Sequence, residues 1–109
     1  MKTEKIIVIH PDGAITEHVA KNPVTLGELQ FHVGGYIEVV RTTLGENVIM
    51  IVNEEGKLNE LPENETATAY ADLAGWDYIA GRAVLARQDG EEIRPFGADE
   101  LRRILAIIK

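Results

Sequence analysis

Two short segments of the chain are almost wholly apolar, and they limit its folding more than any other feature. Lys5 to Ile9 reads K-I-I-V-I, and Val48 to Asn53 reads V-I-M-I-V-N. Both are rich in β-branched residues, whose stiff side chains suit a pleated strand better than a helix. Neither approaches the roughly 20 apolar residues of a membrane-spanning helix. A run without polar alternation fits a strand buried on both faces. Lys5 to Ile9 is therefore expected inside a sheet, and Val48 to Asn53 as a central strand.

Turn and cap residues divide the rest. Pro11-Asp12-Gly13 is turn chemistry, and Ala14 to Ala20 follows as the partner strand of a hairpin. Thr25, with Glu28 three residues on, makes a capping box for a helix over Leu26 to Val33, and Gly34-Gly35 ends it. Tyr36 to Thr42 reads as a strand, and Leu44-Gly45-Glu46-Asn47 as a turn before Val48. Asn64 caps a helix over Glu65 to Ala74, whose alanines suit close packing on a sheet. Tyr78 to Arg87 reads as a last strand. Gly81 within it marks a bulge or a close backbone approach. Ala98 to Ile108 carries Leu101, Ile104, Leu105 and Ile108 as an i, i+3, i+4, i+7 stripe. The order is ββαββαβα, with room for a short extra strand near Lys57 to Leu61. Hairpin connections favour an α+β fold: a single mostly antiparallel sheet with about three helices packed on it, on one side. With no repeats or linkers, residues 1–109 are expected to form a single domain.

The residue types exclude several chemistries. The chain has no cysteine and no serine, so disulfides, thiolate nucleophiles and Ser–His–Asp sites are ruled out. Its histidines are His10, His18 and His32. None is paired at helical metal spacing, and the hairpin is expected to hold His10 far from His18. No metal and no cofactor are expected. Glu54, Glu55, Glu60, Glu63 and Glu65 form an acidic stretch that lacks calcium-loop spacing and reads as a solvated turn. A net charge of −7 argues against direct nucleic-acid binding, which needs clustered Lys and Arg. The opening residues, Met1 to Lys5, lead directly into a strand-like run without a signal-peptide pattern. A cytoplasmic location with no membrane association is expected.

Four segments together resemble a known family. They are the block Leu29-Gln30-Phe31-His32-Val33-Gly34-Gly35-Tyr36-Ile37-Glu38-Val39-Val40, the turn Asn53-Glu54-Glu55-Gly56-Lys57, the helix start Leu61-Pro62-Glu63-Asn64 followed by Ala67-Thr68, and the strand Tyr78-Ile79-Ala80-Gly81-Arg82-Ala83-Val84-Leu85. In combination they look like the DUF3846 family of small proteins found in bacteriophages, plasmids and their bacterial hosts. The position after Gly81, often acidic in that family, is Arg82 here. The resemblance brings no activity with it. It implies a small accessory protein of mobile elements, in the host cytoplasm if phage-encoded.

Candidate ligand-binding residues follow from the most family-like block: Gln30, Gly34, Gly35 and Tyr36, with Arg41 nearby. Glycine backbone N–H groups can present donors to an anion, and an aromatic ring can stack on a base. The glycine pair equally reads as a plain helix C-cap, and a helix C-terminus is the wrong dipole end for phosphate. An anion here needs another source of positive charge: Arg41, Arg82 or Arg87. Trp76 is either an interface anchor or a half-buried lid. Without an evident nucleophile, the expected function is non-enzymatic. A homo-oligomer would sequester a small anionic ligand, a cyclic nucleotide signal of host defence by analogy with the setting, with Ala106 and Ile107 as spare apolar surface. The alternative is an acidic inhibitor that occupies the nucleic-acid-binding site of a host defence protein. An enzyme using carboxylates alone ranks last.

Overall fold

The computed structural model describes residues 4–109. Met1 to Thr3, expected to lead into the first strand, lie outside the described residues. The elements are β1 (Lys5–Ile9), β2 (Ile15–Val19), α1 (Leu26–Val33), β3 (Ile37–Arg41), β4 (Val48–Asn53), α2 (Glu65–Tyr70), β5 (Ala83–Asp89), β6 (Glu92–Arg94) and α3 (Ala98–Ile108). One antiparallel sheet runs β2-β1-β5-β4-β3, with β6 also paired to β5. The expected α+β class and element order hold, with β6 added. β5 is the centre: Val84 lies opposite Val8 of β1 on one side and Ile51 of β4 on the other.

The apolar runs fall where their composition requires. Ile6 to Ile9 are almost inaccessible to solvent, and all six residues of β4 are buried. Their side chains alternate between two cores. Ile7, Ile9, Met50, Val52 and Leu85 pack with Ala67 of α2, with Leu101, Ile104 and Ile108 of α3, and with Phe96. Ile6, Val8, Ile49, Ile51 and Val84 pack with Leu29 and Val33 of α1 on the opposite face. Helices therefore cover both sides of the sheet, not one. Strands apolar at every position need two covered faces, and three helices suffice to provide them.

Several boundaries shift for local reasons. α2 ends at Tyr70 instead of Ala74. The following backbone bonds to the end of β3: Thr43 N donates to Tyr70 O (2.9 Å) and Asp72 N to Arg41 O (2.8 Å). Tyr78 to Gly81 lie outside β5, because Gly81 takes a left-handed conformation (φ +86°) and turns the chain into the strand. A Cβ there would sit 2.8 Å from Leu61 Cδ1, which is the close approach its position suggested. Lys57 to Leu61 form turns, closed by Leu61 N donating to Gly56 O at 2.9 Å, and no strand. The additional strand is β6, across the Asp89-Gly90 turn. In α3, Leu101, Ile104 and Ile108 are buried but Leu105 is only partly so.

Candidate functional site

The block Gln30–Tyr36 joins α1 to β3, and its geometry follows from helix-terminus chemistry. Thr25 and Glu28 form the expected capping box at the helix start. At its end, Gly34 is left-handed (φ +81°), and its N–H bonds to Gln30 O at 2.8 Å. Gly35 has a different task. A Cβ on it would lie 3.0 Å from Asn53 Nδ2. That buried amide donates to Val33 O (3.1 Å) and its Oδ1 accepts from Glu55 N (2.8 Å), tying the helix end to the turn after β4. Gly34→Val should lower stability by about 1–2 kcal/mol through left-handed strain, since a Cβ there meets only the Arg82 guanidinium, at an ordinary 3.8 Å. Thermal melts of the variant check this, and an unchanged melt would show the cap to be dispensable.

Four of the five candidate ligand residues, Gln30, Gly34, Gly35 and Tyr36, line one shallow depression of about 530 Å³. That is within the usual range for small-ligand sites, roughly 300–1,000 Å³. Phe31 and Tyr36 flank it and are 75% and 67% exposed, although both are large apolar rings. Asn53, Asn59 and Glu55 add polar groups to its wall. Arg41, the fifth candidate, is elsewhere. It stands at the far end of β3 and opens into a separate depression of about 590 Å³ with Thr43, Glu46, Asp72 and Gln88, which contains no aromatic ring. A side chain five residues on along an extended strand is carried roughly 15 Å away. The cation at the glycine pair is Arg82, whose guanidinium lies 3.8 Å from where a Cβ on Gly34 would be. Of the three arginines open as the cation, Arg82 stands at the glycine pair, and Arg41, the one placed among the site residues, does not.

The histidines depart from expectation. His10 and His18 are not far apart: Thr16 bridges them, its hydroxyl 2.9 Å from His10 Nε2 and 2.7 Å from His18 Nε2. His18 and His32 then meet across the β2–α1 gap, with ring centroids 4.8 Å apart. Sequence spacing hid this because the hairpin carries Thr16 and His18 on the same face of β2, and α1 returns over that face. Burial, together with the nearby His18 and Arg82, pushes the His32 pKa below the ordinary imidazole value, against a weaker opposing pull from Glu28. Trp76 is 83% exposed and is no lid on the core. The acidic residues of this stretch are exposed, Glu54, Glu55 and Glu60 in turns, Glu63 in a bridge to Ala80 and Glu65 at the start of α2, and Lys57 there pairs with Asp77 and sits over the Tyr78 ring.

The architecture is an antiparallel six-stranded sheet sandwiched between one helix and two, with an aromatic-flanked depression at one helix end. The chain belongs to the DUF3846 family, a domain of unknown function, whose family model matches residues 1–105. No curated protein and no solved structure matches the chain. No helix among the described residues is long and apolar enough to cross a membrane.

Proposed function

We propose that this protein is a non-enzymatic binding protein that captures a small anionic ligand bearing a flat ring, of the nucleotide class, in the depression between Phe31 and Tyr36. One observation supports this reading above the rest: two large aromatic rings stand exposed around a concave surface whose walls carry amides, with an arginine at its edge. Rings left in water at a concave site offer stacking faces that every base can use. The Gln30 and Asn59 amides can hydrogen-bond a base edge, and Arg82 can meet a phosphate. In a phage or plasmid setting, such capture would remove a cyclic nucleotide signal of host defence. Ala106 and the half-exposed Ile107 give a homo-oligomer apolar surface to bury.

The histidines are grouped and not scattered, so the case for binding without turnover rests on the depression and not on the lack of a histidine constellation. The test is calorimetric titration with linear and cyclic nucleotides, followed by recovery of the ligand. Binding with unaltered recovery is expected. Tyr36→Ala should weaken it roughly 5- to 150-fold, the value of one base–aromatic stack of about 1–3 kcal/mol, while the melt stays unchanged. Recovery of a cleaved nucleotide, or wild-type affinity in Tyr36→Ala, would overturn this function.

A further inference from the structure

All three histidines of the chain meet on the α1 face of the sheet edge, together with one hydroxyl and one guanidinium. His10 comes from the end of β1, Thr16 and His18 from β2, His32 from α1, and Arg82 from the segment entering β5. Apart from Arg82, which is exposed, these side chains are half-buried. Among the described residues, no carboxylate lies within ion-pair distance of Arg82 or of any of these histidines. In a chain of net charge −7, this is a group of cation-forming side chains left without its own anion.

A metal does not suit the geometry. Among the described residues, no group of three or more His, Asp or Glu converges so as to hold an ion. The imidazoles are instead spread around the Thr16 hydroxyl and along a ring contact. Such a spread matches an oxyanion, which accepts hydrogen bonds at several oxygens and so can be met from several directions. We infer that His10, Thr16, His18, His32 and Arg82 form a binding site for a tetrahedral dianion of the phosphate class.

Anion binding at these side chains depends on pH. Neutral imidazoles offer one N–H each, and Thr16 already engages one ring nitrogen of His10 and of His18. Protonation adds donors and charge, but in the empty site it brings positive groups together. The groups that face His32 are His18 and Thr16 from β2, His10 from β1, Arg82 from the β5 approach, and Glu28 from its own helix. Three of these four titratable or charged neighbours oppose its protonation and only Glu28 favours it. A bound dianion reverses that balance. By linkage, an anion that takes up one proton on binding tightens about tenfold for each pH unit lowered across the histidine range.

The experiment uses the full chain and sulfate, which remains a dianion where phosphate itself would titrate. The Cε1 resonances of the three histidines are followed by NMR from pH 8 to pH 5, in sulfate and in chloride at matched ionic strength. The expected result is an upward move of the His32 midpoint in sulfate by about half a unit or more. Arg82→Gln should abolish most of that move, and because Arg82 is exposed the variant should melt with the wild type. His32→Gln should weaken sulfate binding and flatten its pH dependence. Midpoints that coincide in sulfate and chloride, or a move that survives intact in Arg82→Gln, would overturn the inference. Sulfate carries no ring, so Tyr36→Ala should leave the move untouched, and loss of the nucleotide reading would not remove this site. Competition between sulfate and a nucleoside monophosphate would assign the site to a nucleotide's phosphate. Additive binding of the two would assign it to a free oxyanion. Displacement of sulfate by neither phosphate nor nucleotide would count against a phosphate-class site.

Discussion

Phe96→Ala is expected to destabilise the protein by about 3–5 kcal/mol, the usual loss for truncating a buried aromatic side chain. In a domain of this size that lowers the melting temperature by more than about 10 °C. Phe96 is fully buried and is the largest of the wholly inaccessible side chains. It sits in the core that joins β1, β4 and β5 to α2 and α3. Its backbone is fixed as well: Phe96 N donates to Lys5 O at 2.8 Å, and Lys5 N donates to Phe96 O at 3.3 Å, clamping the loop before α3 to the start of β1. The surroundings cannot close over the missing ring without moving that clamp, so a cavity remains. Gly97 at the start of α3 contributes no side-chain cap bond. Leu105→Ala, at a partly buried position on the same helix, should show a clearly smaller loss in the same melts. A Phe96→Ala melt within a few degrees of wild type, or a larger effect at Leu105, would contradict this account of the core.

Phe96 also shows where the sequence stops being informative. The strands β1 and β4, helix α1 with its box and left-handed cap, and helix α3 were all legible, because each carries its own local signal. Phe96 carries none. It follows a three-residue strand that is too short to show a period, and only its pairing with Lys5 places it in the core. The two-sided cover was written in β1 and β4, whose apolar residues do not alternate. The one-sided expectation weighed the hairpin connections above that pattern. For the candidate site, a contiguous block such as Gln30–Tyr36 could be read because its residues are local. The histidine group could not, because three separate segments supply it, and the sequence alone leaves Arg41, Arg82 and Arg87 open as the cation. Arg41 is close to that block in sequence, but five residues of extended chain take it to the other end of a strand.

Asn64→Ala is expected to cost about 3–5 kcal/mol, from one lost helix cap and two buried carbonyls deprived of a donor. The sequence marks Asn64 as an N-cap, and its Oδ1 does accept from Ala67 N at 3.0 Å. The amide does more than cap. It is fully buried, and its Nδ2 donates to Ile9 O and to Gly81 O, each at 2.9 Å. Those two residues directly precede His10 and Arg82. One side chain thus holds the end of β1, the turn into β5 and the start of α2 at a single point, and with them the backbone that positions two members of the proposed oxyanion site. Asn64→Asp separates the roles. It keeps the capping oxygen but replaces both donors with a carboxylate facing two carbonyl oxygens. Burial and those oxygens raise the folded-state pKa of that carboxyl, so the deficit should be full at neutral pH and should shrink as pH falls and the carboxyl protonates. Denaturant melts of both variants from pH 7 to pH 4, each referred to wild type at the same pH, read this directly. An Asn64→Asp variant as stable as wild type at neutral pH would mean that only the cap matters, and a deficit that does not change with pH would contradict the buried-carboxylate account. At temperatures where Asn64→Ala is still folded, its histidine midpoints should respond to sulfate less than those of wild type, because the Ile9 and Gly81 carbonyls no longer share a donor. An undiminished response would separate the buried amide from the surface cluster and leave Asn64 with a role in stability alone.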